Sequence, residues 1–213
     1  MAHSTESTGL NLNLPELRPI NTSTGGGWPL RVDTTENWAW CKDIFNPSEL
    51  DAIVRIGHSS EIERATTFGG SDPKVRDSYV NFLYPGEVTS WVFERVAGAI
   101  NGINAKYFGF DLYGMEQGLQ FTRYEAPGEH YDWHIDKGLG REPRKLSLSI
   151  QLSNPDDYEG GDLELWFGGE PVKAARERGM ITFFPSYVMH RVTPVTKGTR
   201  YSLVCWVGGP SFK

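Results

Sequence analysis

His134 and Asp136 stand two positions apart, and a second imidazole, His190, and a guanidinium, Arg200, follow much later in the chain. On an extended strand, residues i and i+2 point to the same side, so His134 and Asp136 can address one point. His190 joins them only if a distant segment folds back alongside. The chain must therefore build a β framework whose neighbouring strands bring sequence-remote side chains together. Two imidazoles and one carboxylate are the donor set of a facial Fe(II) site. Three ligands on one face leave open positions for a bidentate co-substrate and for O2. Arg200, ten residues after His190, is placed to hold a distal carboxylate of that co-substrate, and its planar fork suits a bidentate contact. Taken singly, His190 reads as a strand histidine, Arg200 as a solvated strand start and Asp136 as a turn former. Their joint order carries the metal reading.

The same stretch holds a competing pair. His130-Tyr131-Asp132 is also His-x-Asp, and positions 130, 132, 134 and 136 share one parity. Glu125-Ala126-Pro127-Gly128-Glu129 reads as a turn that starts the strand near His130. Lys137-Gly138-Leu139-Gly140 reads as the next turn, which puts His134 and Asp136 at the far end, near a barrel mouth. The second pair is the expected metal pair, with His130 and Asp132 at a solvated strand end or lining the substrate entrance.

From Gly118 onward short apolar runs alternate with Gly/Pro turns. Strands are expected over 119–124, 130–134, 146–152, 162–167, 171–174, 180–184, 188–192 and 201–207. Many short strands of this kind mean a sandwich or barrel. The N-terminal half reads differently. Ser48 can cap a helix that begins at Glu49, and Trp91, Val92, Val96, Ile100 and Ile103 recur at helical spacing over about 88–106. Residues 76–83 read as a strand, residues 28–40 as an early strand, and the 66–74 loop as a flap or a plain connection. Residues 1–27, rich in Ser, Thr, Asn and Gly, read as a flexible tail. The expected fold is mainly β with supporting helices: a double-stranded β-helix of the jelly-roll type. One domain spans 28–213, with helical support over 28–115 and the catalytic core over 116–213.

The run Tyr124-Glu-Ala-Pro-Gly-Glu-His-Tyr-Asp-Trp-His134-Ile-Asp136 resembles the tyrosine, turn and His-x-Asp segment of the prolyl 4-hydroxylase-like Fe(II)- and 2-oxoglutarate-dependent dioxygenases. The resemblance continues through Leu152–Leu165 and through Phe183–Leu203, and covers about residues 79–207. It implies hydroxylation of a C–H bond with release of succinate and CO2, with Fe(II), 2-oxoglutarate and O2 required and ascorbate as a reductant. It implies His134, Asp136 and His190 as ligands, Arg200 on the 5-carboxylate, and Tyr124 as a co-substrate contact. Gln151 faces either the co-substrate or outward. Tyr131, Trp133, Trp166 and Trp206 are aromatic candidates for the substrate side, with plain packing the favoured alternative for Trp133 and Trp166. The implied substrate is a proline in a peptide or protein, with a free amino acid or other small molecule as the alternative. Collagen-type members carry lysine where this chain has Arg200, whereas arginine there is similar to the oxygen-sensing prolyl hydroxylases and some bacterial hydroxylases.

Charge narrows the partners. With 21 Lys and Arg against 27 Asp and Glu, the net charge is -6 and no block of basic residues occurs, which disfavours binding to a nucleic-acid backbone. Nucleic-acid demethylases of the same superfamily usually carry a second arginine six residues after the first, and Trp206 stands there. No apolar run is long enough for a membrane span, and the start of the chain lacks the pattern of a signal peptide, so the expected compartment is the cytoplasm. Cys41 and Cys205 are expected to remain unpaired. Two readings of other classes compete: Zn(II) hydrolysis or isomerisation by the same donors, in which Arg200 and Tyr124 have no task, and a jelly-roll binding module without chemistry.

Overall fold

The computed structural model describes residues 35–59, 62–66, 72–115, 117–137 and 144–211. The expected tail at 1–27, the start of the expected early strand, the middle of the 66–74 loop and the turn at 138–140 lie outside them. The described strands are β1 (Ala39–Cys41), β2 (Glu63–Arg64), β3 (Arg76–Asp77), β4 (Tyr79–Leu83), β5 (Leu119–Glu125), β6 (His130–His134), β7 (Arg144–Gln151), β8 (Tyr158–Gly160), β9 (Leu163–Trp166), β10 (Val172–Lys173), β11 (Ile181–Pro185), β12 (Met189–Val192) and β13 (Val195–Gly208). Two helices precede most of them, α1 (Pro47–Gly57) and α2 (Ser90–Ile103).

The strands form two antiparallel sheets. The larger runs β1-β11-β7-β13-β5-β4-β2, with β8 added to β13, and the smaller runs β10-β9-β12-β6-β3. This is the expected jelly roll. Strict alternation along the large sheet decides which face goes where. Leu119 and Phe121 on β5, Leu146 and Ile150 on β7, and Leu203, Cys205 and Val207 on β13 join one apolar cluster with Leu50 and Ile53 of α1 and Val92, Val96 and Ile100 of α2. The helices thus cover the outer face of this sheet. The opposite parity is polar yet also buried: Gln120, Thr122, Ser147, Gln151, Arg200 and Ser202. Those side chains face the smaller sheet.

Three details differ from the sequence reading, each for a local reason. The cap of α1 is Asn46 rather than Ser48. Pro47 fits the first turn because it has no N–H to satisfy, so the cap falls on the residue before it. The Asn46 side chain accepts from the Glu49 amide at 3.0 Å and the Glu49 carboxylate accepts from the Asn46 amide at 2.9 Å, a reciprocal capping box. Helix α2 ends at Ile103 and widens into a π-turn over Asn104–Phe108 that closes on Gly109 with φ 63°, a left-handed conformation open to glycine. The expected strand over 76–83 is two strands. It breaks at the fully buried Ser78, so that β3 pairs with β6 in the small sheet while β4 pairs with β5 in the large one.

Both cysteines are free. Burial pushes the Cys41 thiol up to about 11 and the Cys205 thiol up to about 12, and only the thiolate is nucleophilic. Cys205 in the native protein should therefore react with a thiol reagent at pH 8 far more slowly than in denaturant, where both thiols should titrate. Rapid native labelling of Cys205 would contradict its place in the core.

Candidate active site

A bulge in the small sheet sorts the two His-x-Asp pairs. On β6 and β12, His134 lies opposite His190 while Tyr131 lies opposite Val192, so three residues on one strand span two on the other. An inserted residue reverses the facing of what lies beyond it. Tyr131 and His134 therefore point the same way, their rings stacked with centroids 3.4 Å apart, and His130 and Asp132 are not in the same inward row. His130 sets its ring nitrogens against the carbonyls of Gly128 and Lys74, at 2.8 and 3.2 Å. Asp132 is exposed and accepts from the Trp133 amide.

His134, Asp136 and His190 come together instead, with one ligand atom from each lying within 4.8 Å of the others. The Asp136 carboxylate is 3.8 Å from His134 Nε2 and 3.4 Å from His190 Nε2, close enough for one ion to touch all three. On each imidazole the other nitrogen is taken. Nδ1 of His134 meets the Asp132 carbonyl at 2.7 Å and Nδ1 of His190 meets the Val188 carbonyl at 3.0 Å. A carbonyl only accepts, so Nδ1 carries the hydrogen and Nε2 is left as a lone-pair donor, the tautomer a metal requires. Burial, together with the neighbouring His190, pushes His134 down to about 3, so this imidazole is neutral at physiological pH.

Asp136 lies just past the end of β6, held by its amide and that of Lys137, which both donate to the Ser186 carbonyl. Burial works against its charge, but the two imidazoles outweigh it and Trp206 and Ser147 add to them, so the carboxyl stays below its usual range. Ser147 shares a 2.8 Å hydrogen bond with Ser186. The Trp206 indole N–H is buried and has no hydrogen-bond partner of ordinary length.

The cavity beside these ligands lies between the two sheets. Tyr124, Arg200 and Trp206 line it from the large sheet, and Arg76, Tyr131, His134 and His190 from the small one. Arg200 is only 3% exposed, and among the described residues no carboxylate pairs with it. Its Nε donates to Gln151 Oε1 at 3.1 Å, and Gln151 in turn donates to the Tyr158 hydroxyl at 2.9 Å. Gln151 thus faces inward and holds Arg200 in place. Tyr124 sits directly across the strand pair from Arg200, with the guanidinium 5.6 Å from its ring centroid. Burial raises the Tyr124 phenol, which keeps it protonated and able to donate. Trp166 is placed elsewhere. It is half exposed at the end of β9, its indole N–H bonded to the Gly169 carbonyl, and it does not line the cavity. Trp133 packs under the Arg191 guanidinium at 4.6 Å.

Two residues of this site were not singled out in the sequence. Arg76 lines the cavity from β3, and Arg144 stacks over the Trp206 ring at 4.0 Å and donates to the Asp136 carbonyl at 3.4 Å. Arg76 stood in what reads as an ordinary strand, and only the change of sheet at Ser78 turns it inward. Arg144 follows a Gly- and Pro-containing turn and looks like a solvated strand start.

The donor set and its tautomers suit Fe(II), and a buried guanidinium without an anion suits the carboxylate of a keto acid. Comparison with known proteins agrees. The profile of the 2OG-Fe(II) oxygenase superfamily matches residues 119–208. A PKHD-type hydroxylase of Nitrosomonas eutropha is 34% identical over 177 residues, covering 78% of this chain and 75% of that one. Another, from Gloeothece citriformis, is 32% identical over 169 residues, covering 77% and 74%. A third, from Synechococcus sp., is 41% identical over 100 residues, a match that spans 46% of this chain and only 45% of that protein. In fold, the chain is similar to a Trichoplax adhaerens prolyl hydroxylase solved with a hypoxia inducible factor peptide fragment, with TM-score 0.70, 18% identity and coverage of 82% and 84%. It is also similar to a Pseudomonas putida prolyl-4-hydroxylase, with TM-score 0.67, 21% identity and coverage of 83% and 95%. The matches to the Nitrosomonas and Gloeothece enzymes extend well beyond the metal site, and on them this chain belongs to the PKHD-type hydroxylases of the 2OG-Fe(II) oxygenase superfamily and is a 2-oxoglutarate-dependent dioxygenase.

Proposed function

We propose that this enzyme hydroxylates a proline within a peptide or protein, with His134, Asp136 and His190 as the iron ligands and Arg200 as the co-substrate anchor. The observation that carries the catalytic part is the pairing, in one buried cavity, of three candidate metal donors with Nε2 or carboxylate atoms facing one another and a guanidinium that has no carboxylate partner among the described residues. Bound Fe(II), with 2-oxoglutarate and O2, supplies the oxidising power, and the keto acid leaves as succinate and CO2. The chain's own task is placement. Arg200 pairs with the 5-carboxylate, and Gln151 fixes the direction of that guanidinium. Tyr124 offers its phenol hydrogen to the same molecule. The apolar walls from Leu163, Phe184 and Val192 keep water from competing.

Support for the substrate class comes from shape. Trp206 lines the cavity beside the candidate ligands with Arg144 over one face of its ring, and a proline ring packs well on such an aromatic surface; Tyr131 offers its ring edge, its faces being taken by His134 and Arg76. Trp166, on the outside of the small sheet, has no part in this contact. The fold neighbours named as prolyl hydroxylases point the same way.

Changing His134, Asp136 or His190 to Ala should abolish iron retention and turnover, while His130→Ala and Asp132→Ala should leave metal content intact, as measured by metal analysis of purified protein. Loss of iron on changing the second pair would mean that the wrong His-x-Asp was chosen.

Arg200→Ala should leave iron bound but weaken 2-oxoglutarate. Unpairing a buried charge costs roughly 2–5 kcal/mol, a rise in the co-substrate KM of about thirtyfold or more. Gln151→Met, which removes one hydrogen bond to that guanidinium, should raise it by less, about 1 kcal/mol. An unchanged KM in Arg200→Ala would sink the anchor assignment.

Proline-containing peptides should stimulate succinate formation, and mass spectrometry should place one added oxygen on the proline. Equal stimulation by the alanine-substituted peptide would reject the prolyl reading and leave the oxygenase itself in place.

A further inference from the structure

Arg76 is a second buried guanidinium in the cavity, and neither the metal nor the co-substrate accounts for it. Its residue is 8% exposed. It reaches the cavity from β3, on the sheet opposite Arg200. Its Nε donates to Ser78 Oγ at 3.0 Å, and its guanidinium lies 4.5 Å over the Tyr131 ring. Those contacts fix its position, but neither brings a negative charge, and among the described residues no carboxylate forms an ion pair with it. A buried cation is costly to leave uncompensated.

The charges of the loaded site do not supply the missing anion. Arg200 is matched by the 5-carboxylate. The two charges of Fe(II) are matched by Asp136 and by the chelating carboxylate of the keto acid. Arg144, close by, also has no carboxylate partner among the described residues and bonds instead to the Gln117 amide oxygen at 2.7 Å and the Asp136 carbonyl. The substrate side of the cavity is thus left positive in a chain whose net charge is -6. Such a focused field favours an anionic ligand, and the forked donors of arginine favour a planar carboxylate.

We propose that Arg76 binds a carboxylate of the substrate, so that the enzyme selects substrates carrying an acidic group next to the carbon it oxidises. The inference rests on the oxygenase reading above and sharpens its substrate. The stack of Tyr131 on His134, with Arg76 over Tyr131, sets the place. His134 and Arg76 cover the two faces of the Tyr131 ring, so a carboxylate held by Arg76 puts the rest of the substrate in the cavity beside the Tyr131 edge and the candidate ligands. Two sources of that group are chemically equivalent here, a free α-carboxylate and an acidic side chain next to the oxidised residue in a peptide.

The test uses the full chain loaded with Mn(II) and 2-oxoglutarate. Acetate and N-acetylproline are compared with acetamide and N-acetylproline amide, and the Mn(II)-induced relaxation of their protons is followed by NMR. The acids should be relaxed at concentrations roughly tenfold below those of the amides, as a charge-assisted bidentate contact requires. Arg76→Gln should erase the difference and Arg76→Lys should restore part of it, with 2-oxoglutarate affinity unchanged in both. Equal relaxation of acids and amides, or a preference that survives Arg76→Gln, overturns the assignment. Succinate formation is then compared for proline peptides with a free C-terminal carboxylate and for amidated ones carrying Glu or Gln beside the proline, to tell the two sources apart. A carboxylate preference without proline oxidation would reject the prolyl reading alone, and proline oxidation without that preference would reject the role of Arg76 alone.

Discussion

Arg200 is buried on the inner face of a sheet with no carboxylate paired to it among the described residues, and in an unloaded site that arrangement costs several kcal/mol. The rest of the cavity is organised around that cost. Gln151 gives the guanidinium one acceptor, Tyr158 holds Gln151, and Tyr124 lies across the strand from Arg200. Each is buried, and each stands on the large sheet or on β8, which pairs with it. The helices support this indirectly. By covering the other face of the sheet, α1 and α2 supply the apolar burial that the polar face cannot, and so allow a row of serines, glutamines and one arginine to be kept from water.

That row explains how much of the fold could be read directly. The segment Leu146-Ser-Leu-Ser-Ile-Gln151 alternates cleanly, and alternation announces a strand with one apolar face. It does not say what covers the polar face. Ordinarily that would be solvent; here it is a second sheet. Strand existence was therefore legible for every major element of the core, and the β6 bounds were met at both ends. β8 was missed because Gly160 and Gly161 read as a turn, and their positive φ values of 71° and 63° show that they do turn. β13 is longer than expected because Lys197-Gly198 reads as a turn but pairs with β8 instead.

The candidate ligands were legible for a different reason. His134, Asp136 and His190 are rare residue types in a telling order, and local composition was enough to place the second pair at the open end of β6. The parity argument alone could not separate the pairs, since it assumed an unbroken strand. The bulge between β6 and β12 breaks that assumption, and a bulge leaves little trace in composition. The same limit hid Arg76. Its facing depends on a change of sheet at Ser78, and nothing in Arg76-Asp77-Ser78-Tyr79 distinguishes such a crossing from a continuous strand.

The two sheets divide the work. The large sheet, anchored on its helices, carries the groups assigned to the co-substrate: Arg200, Gln151 and Tyr124. The small sheet carries two of the proposed metal ligands and, past the end of β6, the third, along with Tyr131 and Arg76, the residues proposed for the substrate side. Its strands are short, from two to five residues, and its apolar cluster is the smaller one. Changes at Arg76 on β3 touch neither Arg200 nor the helix-backed core, so they can alter which substrate is accepted while co-substrate binding is kept, whereas Tyr131 stacks on His134 and a change there reaches the candidate metal site. That separation follows from burial: the co-substrate is the same keto acid at every turnover and suits a rigid, deeply held anchor, whereas a substrate must enter and leave past residues nearer the edge of the smaller sheet.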